Sequence, residues 1–301
     1  MRSWLFIPAD SERKLAKSEG VPADIFIVDL EDSVAPGNKP AARGLAAEFL
    51  RSLEPERRRR YWVRINPADR ADAEADLSAV MPEHPGGIVQ PKAGNPDDVI
   101  GLSERLQAHE KRLGFDVGST RILAIATETP QALFALGGYG RVGERLSALT
   151  WGAEDLSAAI GAETAREPDG RWTSPYQMVR NLCLFGAHAA GVLAVDTLFA
   201  NFRDEAGLRA SCIEARRDGF VGKLAIHPAQ VATINEAFTP GEEELEYARR
   251  VVALFEANPG AGTLALDGQM LDLPHLKQAQ RLLDRARAAR FPSVGDGRPE
   301  K

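Results

Sequence analysis

Two stretches of the sequence each bring a carboxylate to the end of an apolar run. Residues 122–126 are apolar and lead to Glu128, and the largely apolar run 148–153 leads through Trp151 to Asp155. Short apolar runs bounded by polar residues or Gly suit the buried strands of a parallel sheet. If these two strands are parallel neighbours, Glu128 and Asp155 leave the same end of the sheet side by side. Carboxylates so placed repel unless a positive charge joins them, and a hard divalent cation such as Mg2+ prefers oxygen ligands. A second reading fits the same residues: each carboxylate opens the helix after its strand, where negative charge is favoured.

Comparable runs at residues 4–8, 25–30, 61–65 and 87–90 precede this pair, and runs at 192–195 and 222–226 follow it. Helix-like segments separate them. Eight strands alternating with helices predict a (β/α)8 TIM barrel, which commonly occupies about 250 residues as one unit. An open doubly wound sheet is the alternative, although no strand is followed by Gly-x-Gly-x-x-Gly. The barrel is expected over residues 1–230. A C-terminal helical and hairpin appendage is expected over 231–301, with helices at 241–256 and 274–290 and a hairpin at 260–268 turning at Asp267-Gly268. Residues 161–175 read as a long loop, and residues 292–301 as a frayed end.

Reactive groups of such a barrel lie at the carboxyl ends of its strands. Those ends hold Asp29, Glu31, Asp32, Arg64, Asn66, Lys92, Glu128, Asp155, Asp196 and His227. Arg64 is a permanent, forked cation suited to a carboxylate or a developing enolate oxygen, and it suits a salt bridge to Asp29 or Glu31 as well. Asp29, Glu31 and Asp32 suit orienting Arg64 or a metal-bound water, and each by itself reads as structural before catalytic. Lys92 and His227 are read as structural before functional. Arg13 with Lys17, and Lys39 with Arg43, stand four apart and share a helix face. Near helix N-termini such pairs can grip phosphates, but spacing alone favours solvated faces. The run 57–60 precedes strand three, at the opposite end of the barrel, and reads as solvated surface.

A net charge of −6 argues against a nucleic-acid partner, which a basic surface would attract. The two cysteines, Cys183 and Cys212, lack metal-site spacing and read as small buried residues. No apolar run approaches the roughly 18–20 residues that span a bilayer, and no export segment is evident, so a cytoplasmic protein without a membrane partner is expected.

Several ordered segments carry a resemblance. They are residues 2–17 (RSWLFIPADSERKLAK), 29–36 (DLEDSVAP), 63–66 (VRIN), 90–92 (QPK), 127–129 (TET), 152–156 (GAEDL) and 219–230 (GFVGKLAIHPAQ). Together they resemble the citrate lyase beta-subunit family, within the HpcH/HpaI aldolase and CoA-ester lyase group. Residues 268–274 (GQMLDLP) look like the tail of its stand-alone malyl- and citramalyl-CoA lyase branch.

The resemblance implies Mg2+ held at Glu128 and Asp155, and Arg64 binding substrate and acting in catalysis. Arg13, Lys17, Lys39 and Arg43 match positions that contact coenzyme A, which reverses the reading from spacing. Phe6 and Asp196 join this substrate and CoA set. Asp272, otherwise a helix cap before Pro274, matches an acid/base that enters a neighbouring subunit's site, which implies a homo-oligomer, trimer or hexamer. Ala9 departs from the Gly common after the proline in relatives.

The expected activity is reversible Claisen-type cleavage of a carboxylated 3-hydroxyacyl-CoA (malyl-, citramalyl- or citryl-CoA) into an acyl-CoA and an α-keto acid. Alternatives are a partner-dependent citrate lyase subunit acting on a carrier-protein thioester, an aldolase of free keto acids, and a malate synthase or thioesterase using the same site.

Overall fold

The computed structural model describes residues 1–68 and 71–290, with side chains to residue 287. The end expected to fray at 292–301 lies outside the described residues. The chain opens with β1 (Ser3–Pro8), α1 (Glu12–Ser18), β2 (Ile25–Asp29), α2 (Lys39–Ser52), α3 (Pro55–Arg58), β3 (Tyr61–Arg64) and α4 (Ala71–Val80). It continues through β4 (Gly87–Gln90), α5 (Pro96–Leu113), β5 (Arg121–Ile125), α6 (Pro130–Leu133), β6 (Leu146–Thr150), α7 (Glu154–Ile160) and α8 (Ser174–Ala190). Then come β7 (Leu193–Asp196), α9 (Glu205–Asp218), β8 (Gly222–Ala225) and α10 (Gln230–Phe238). Last are α11 (Glu242–Glu256), β9 (Thr263–Leu266), β10 (Gln269–Asp272) and α12 (Leu273–Arg290).

Strands β1 to β8 pair in sequence order and β8 pairs back on β1, all parallel, which closes the (β/α)8 barrel. Local chemistry agrees with this closure. In α5, the Asn95 side chain accepts the backbone N–H groups of Asp97 and Asp98, Pro96 fixes the first turn, and Gly114 ends the helix at φ +76°. Alternate strand residues point inward, and Trp4, Ile27, Trp62, Val89, Leu123, Val195 and Leu224 pack in the barrel interior. Trp4 and Trp62 meet edge to face at 5.1 Å. Gly87 makes room for them, because a Cβ there would stand 2.5 Å from Trp62 ring carbons.

Two features differ from the sequence reading. Helix α10 runs past the expected boundary at 230, yet Val231, Ile234 and Phe238 join the barrel's outer core. The separate C-terminal core begins with Ala248, Val251 and Phe255 of α11 and includes Leu271. The run 57–60 is not simply solvated. Arg58 donates to the carbonyls of Glu83 and Leu53, and Arg60 donates to those of Asp24 and Ala23 while stacking on Phe26. These guanidinium groups close the loops beneath the barrel.

The hairpin β9–β10 turns at Asp267 and Gly268, both at positive φ. Among the described residues no helix is long and apolar enough to cross a membrane.

Candidate active site at the carboxyl ends of the strands

Asp29 and Arg64 are register partners at the ends of β2 and β3. Alternation places both inward, above Ile27 and Trp62. The Asp29 carboxylate accepts two hydrogen bonds from Arg64, Nε to Oδ1 and Nη2 to Oδ2, each 2.7 Å. Arg64 Nη1 lies 2.9 Å from Glu31 Oε2, an ion contact without hydrogen-bond alignment. The Phe6 ring supports the guanidinium at 4.8 Å. Burial by itself would raise the Asp29 carboxyl, but the Arg64 bonds and charge hold it below its ordinary value. For Glu31, burial outweighs Arg64 and Lys92 and raises it. The same carboxylates hold the Arg64 cation charged despite its burial.

Glu128 and Asp155 follow adjacent parallel strands, as their spacing predicts. Between these strands the register shifts, so that Leu123 pairs with Ala148 and β6 carries one residue more. Glu128 does not cap a helix: Thr129 does so for α6, its side chain accepting the Ala132 N–H. Asp155 lies in the first turn of α7, near the positive end of that helix. A Cβ on Gly152 would come 3.1 Å from Glu128 Cγ, so this Gly leaves room for the carboxylate arm.

Lys92 joins the two halves of the site. Its backbone N–H donates to Glu128 Oε2 at 2.5 Å. Its ammonium donates to Glu31 Oε1 at 2.5 Å and lies 3.4 Å from Asp155 and 3.7 Å from Asp32. The residue has φ +52°, a left-handed conformation that costs a non-Gly residue about 1–3 kcal/mol. Burial would lower the Lys92 ammonium, but the bond to Glu31 and the surrounding carboxylates raise it. Burial pushes the Glu128 carboxyl up to about 8; Lys92 pulls it down, while Glu31 and Asp155 add to the rise.

Five carboxylates (Asp29, Glu31, Asp32, Glu128 and Asp155) thus surround two cations, Arg64 and Lys92. The surplus is negative, and the donors on the Glu128 and Asp155 side are all oxygens, the kind a hard cation takes. Among the described residues no group of three or more His, Cys, Asp and Glu converges as a ready ligand set. Glu128 and Asp155 would therefore hold an ion that keeps waters, as Mg2+ commonly does.

The remaining candidates are distributed around this centre. Arg13 and Lys17 are exposed on α1, Lys39 donates to Asn66 Oδ1, and Arg43 is engaged by Asp76 at 2.6 Å and by Asp72. Asp196 is buried and accepts hydrogen bonds from Lys223 at 2.6 Å and from Trp151 Nε1 at 2.8 Å. His227 is exposed and stacks on Phe202 at 4.6 Å. Asp272, on the appendage just before α12, has Oδ1 2.5 Å from His275 Nδ1. Sequence reasoning missed His275, whose i+3 spacing from Asp272 was the available signal. It also missed the Lys92 N–H and the Thr150 hydroxyl, buried without a hydrogen-bond partner at the end of β6.

The family model for HpcH/HpaI aldolase/citrate lyase matches residues 2–228. The chain belongs to the HpcH/HpaI aldolase/citrate lyase family. It is 35% identical over 283 residues to a citrate lyase subunit beta-like protein of Mycobacterium tuberculosis, covering 94% of each chain. It is 31% identical over 298 residues to the mitochondrial citramalyl-CoA lyase of Rattus norvegicus, covering 94% of this chain and 85% of that one. A crystal structure of CitE from Mycobacterium tuberculosis, in complex with magnesium, acetoacetate and coenzyme A, superposes with a TM-score of 0.77 at 33% identity. That alignment covers 95% of this chain and 98% of CitE. The family match includes every strand of the barrel, whereas Asp272 lies beyond it.

Proposed function

We propose that this protein is a Mg2+-dependent carbon–carbon lyase of coenzyme A esters, cleaving a carboxylated 3-hydroxyacyl-CoA into an acyl-CoA and an α-keto acid. The observation that carries this reading is the acid-rich cluster at the barrel mouth, with Glu128 and Asp155 on one side and Arg64 clamped on the other. Membership of a family with a citramalyl-CoA lyase and a magnesium- and CoA-bound CitE supports it. When bound at Glu128 and Asp155, Mg2+ supplies Lewis-acid polarisation and a template for the hydroxy-acid end of the substrate.

Arg64 supplies the fixed positive charge. Asp29 takes its Nε and Nη2, so the guanidinium does not reorient as charge develops on a thioester oxygen. Cleavage passes the hydroxyl proton to a base, and the freed O–H electron pair becomes the carbonyl of the keto acid. The bond between Cα and Cβ breaks with its electron pair forming the acyl-CoA enolate. Returning a proton to that carbon needs a positioned acid. Asp272 of a neighbouring subunit fills this role in the proposal, which makes the working enzyme a homo-oligomer, a trimer or hexamer.

Arg13 and Lys17 present exposed charge to coenzyme A phosphates. Lys39 stands beside Asn66, and Arg43, already paired with Asp72 and Asp76, contributes less charge to a ligand. Phe6 acts by holding the Arg64 plane, and Asp196 by fixing Trp151 before α7.

Incubating the purified protein with malyl-, citramalyl- and citryl-CoA, with Mg2+ or with EDTA, tests the reading. Keto acid released from at least one thioester only with Mg2+ is the expected result. Cleavage of the free hydroxy acids in preference to their CoA esters would overturn it.

A further inference from the structure

Lys92 is an unusual residue to find at the centre of the site. It follows Pro91 directly at the end of β4, and its backbone stands in the left-handed region that favours Gly. That conformation sends its N–H to Glu128 and its ammonium to the opposite carboxylates. A structural ion pair needs one carboxylate partner, and Glu31 at 2.5 Å provides it. The same ammonium also lies within 4 Å of Asp155 and Asp32, so it faces the oxygens of a carboxylate already assigned to the cation.

We propose that Lys92 is a positioning residue that sets the strength of cation binding at this site. Its N–H holds the Glu128 carboxylate in place, while its ammonium competes with a divalent ion for the Asp155 carboxylate. A residue with this double role makes the cation bind less tightly than the carboxylates alone would allow. It also supplies a counter-charge that keeps Glu31, Asp32 and Asp155 together. Substrate bearing its own carboxylate would draw the ammonium from Asp155, so that cation and substrate assist each other's binding.

This inference rests on the metal reading of Glu128 and Asp155, and direct Mn2+ titration without substrate separates the two. Free Mn2+ is followed by its paramagnetic resonance signal for the wild type, Lys92→Met and Lys92→Gly. Both variants remove the ammonium and keep the N–H, and Gly accepts the left-handed backbone without strain. The expected result is Mn2+ binding tightened by about tenfold or more in both variants, because a nearby like charge has gone. Without metal, Lys92→Met is also expected to melt at a lower temperature than the wild type. Unchanged or weaker Mn2+ binding in a folded variant, with a wild type that binds, overturns the role of Lys92 and leaves the metal site standing. A folded wild type that takes up no Mn2+ at millimolar concentration overturns the metal reading, and this inference with it.

Discussion

At the N-terminal rim of the barrel, Arg145 before β6 meets Glu110 of α5 in a two-pronged pair, 2.7 and 2.9 Å. Both partners are bonded further: Arg145 also donates to the Thr120 carbonyl and to Ser103, and Glu110 accepts the N–H groups of Gly118 and Thr120. At the C-terminal rim, Arg64 and Lys92 face five carboxylates, and Glu128 is buried with a backbone N–H as its hydrogen-bond donor. Both rims bury charge, but only the first is balanced one to one. A balanced, fully bonded pair holds a fold together. A surplus of one sign, with a carboxyl pushed up to about 8 by burial, marks a candidate site for a ligand of the other sign.

Mutations that reverse the two rims' behaviour would break this contrast. Glu128→Gln or Asp155→Asn should lower CoA-ester cleavage roughly a thousandfold or more, the loss of several kcal/mol of transition-state stabilisation. The melting temperature should not fall, because Asp155→Asn removes charge from a negative cluster and Glu128→Gln replaces a buried carboxyl already pushed up to about 8 by a neutral amide; turnover and calorimetry check both statements. Arg145→Ala should do the opposite, leaving Glu110 buried and uncompensated and costing about 3–5 kcal/mol by denaturant titration. Turnover per folded molecule should survive in that variant.

Mixing inactive Asp272→Ala with inactive Glu128→Ala protein should restore part of the activity after subunit exchange, if Asp272 serves a neighbour's site. No recovery despite exchange demonstrated by mass spectrometry counts against a shared site. A smaller effect is expected from Gly152→Ala, whose new Cβ displaces the Glu128 arm. We expect turnover reduced by about tenfold, in line with a small misplacement of a positioned group.

The smallest effect concerns pH. Burial would raise Glu110, but Arg145 and two backbone N–H groups hold it below its ordinary value. Its stabilising contribution is therefore present above the unfolded-state value and lost as pH falls through the lowered folded-state value. Glu31 at the other rim is raised, so its contribution is present at low pH and lost as pH rises. Unfolding free energies measured from mildly acid to neutral pH should show Glu110→Gln less acid-sensitive than the wild type, and Glu31→Gln less sensitive to the rise toward neutrality.

Much of the barrel was legible because each strand is a short apolar run followed by a helix with its own signals, as Asn95, Pro96 and Gly114 show for α5. The adjacency of Glu128 and Asp155 followed from strand order alone. Other features depend on contacts between residues far apart in sequence. Nothing local distinguishes the solvated arginines expected at 57–60 from side chains that reach the carbonyls of residues 23, 24, 53 and 83. The role of Lys92 was hidden for a related reason, since its left-handed backbone and its bond to Glu128 cross from β4 to β5. The Asp196 network was equally invisible: its partners are Trp151, just past the end of β6, and Lys223 of β8, on either side of it.

The central claim is that Glu128 and Asp155 form the cation site of a lyase and are not merely the openings of two helices. Calorimetric titration of Mg2+ into the wild type, Glu128→Gln and Asp155→Asn, in the presence of an α-keto acid product, tests it most directly. We predict one binding site in the wild type and none in either folded variant. Equal binding in all three proteins would contradict the account.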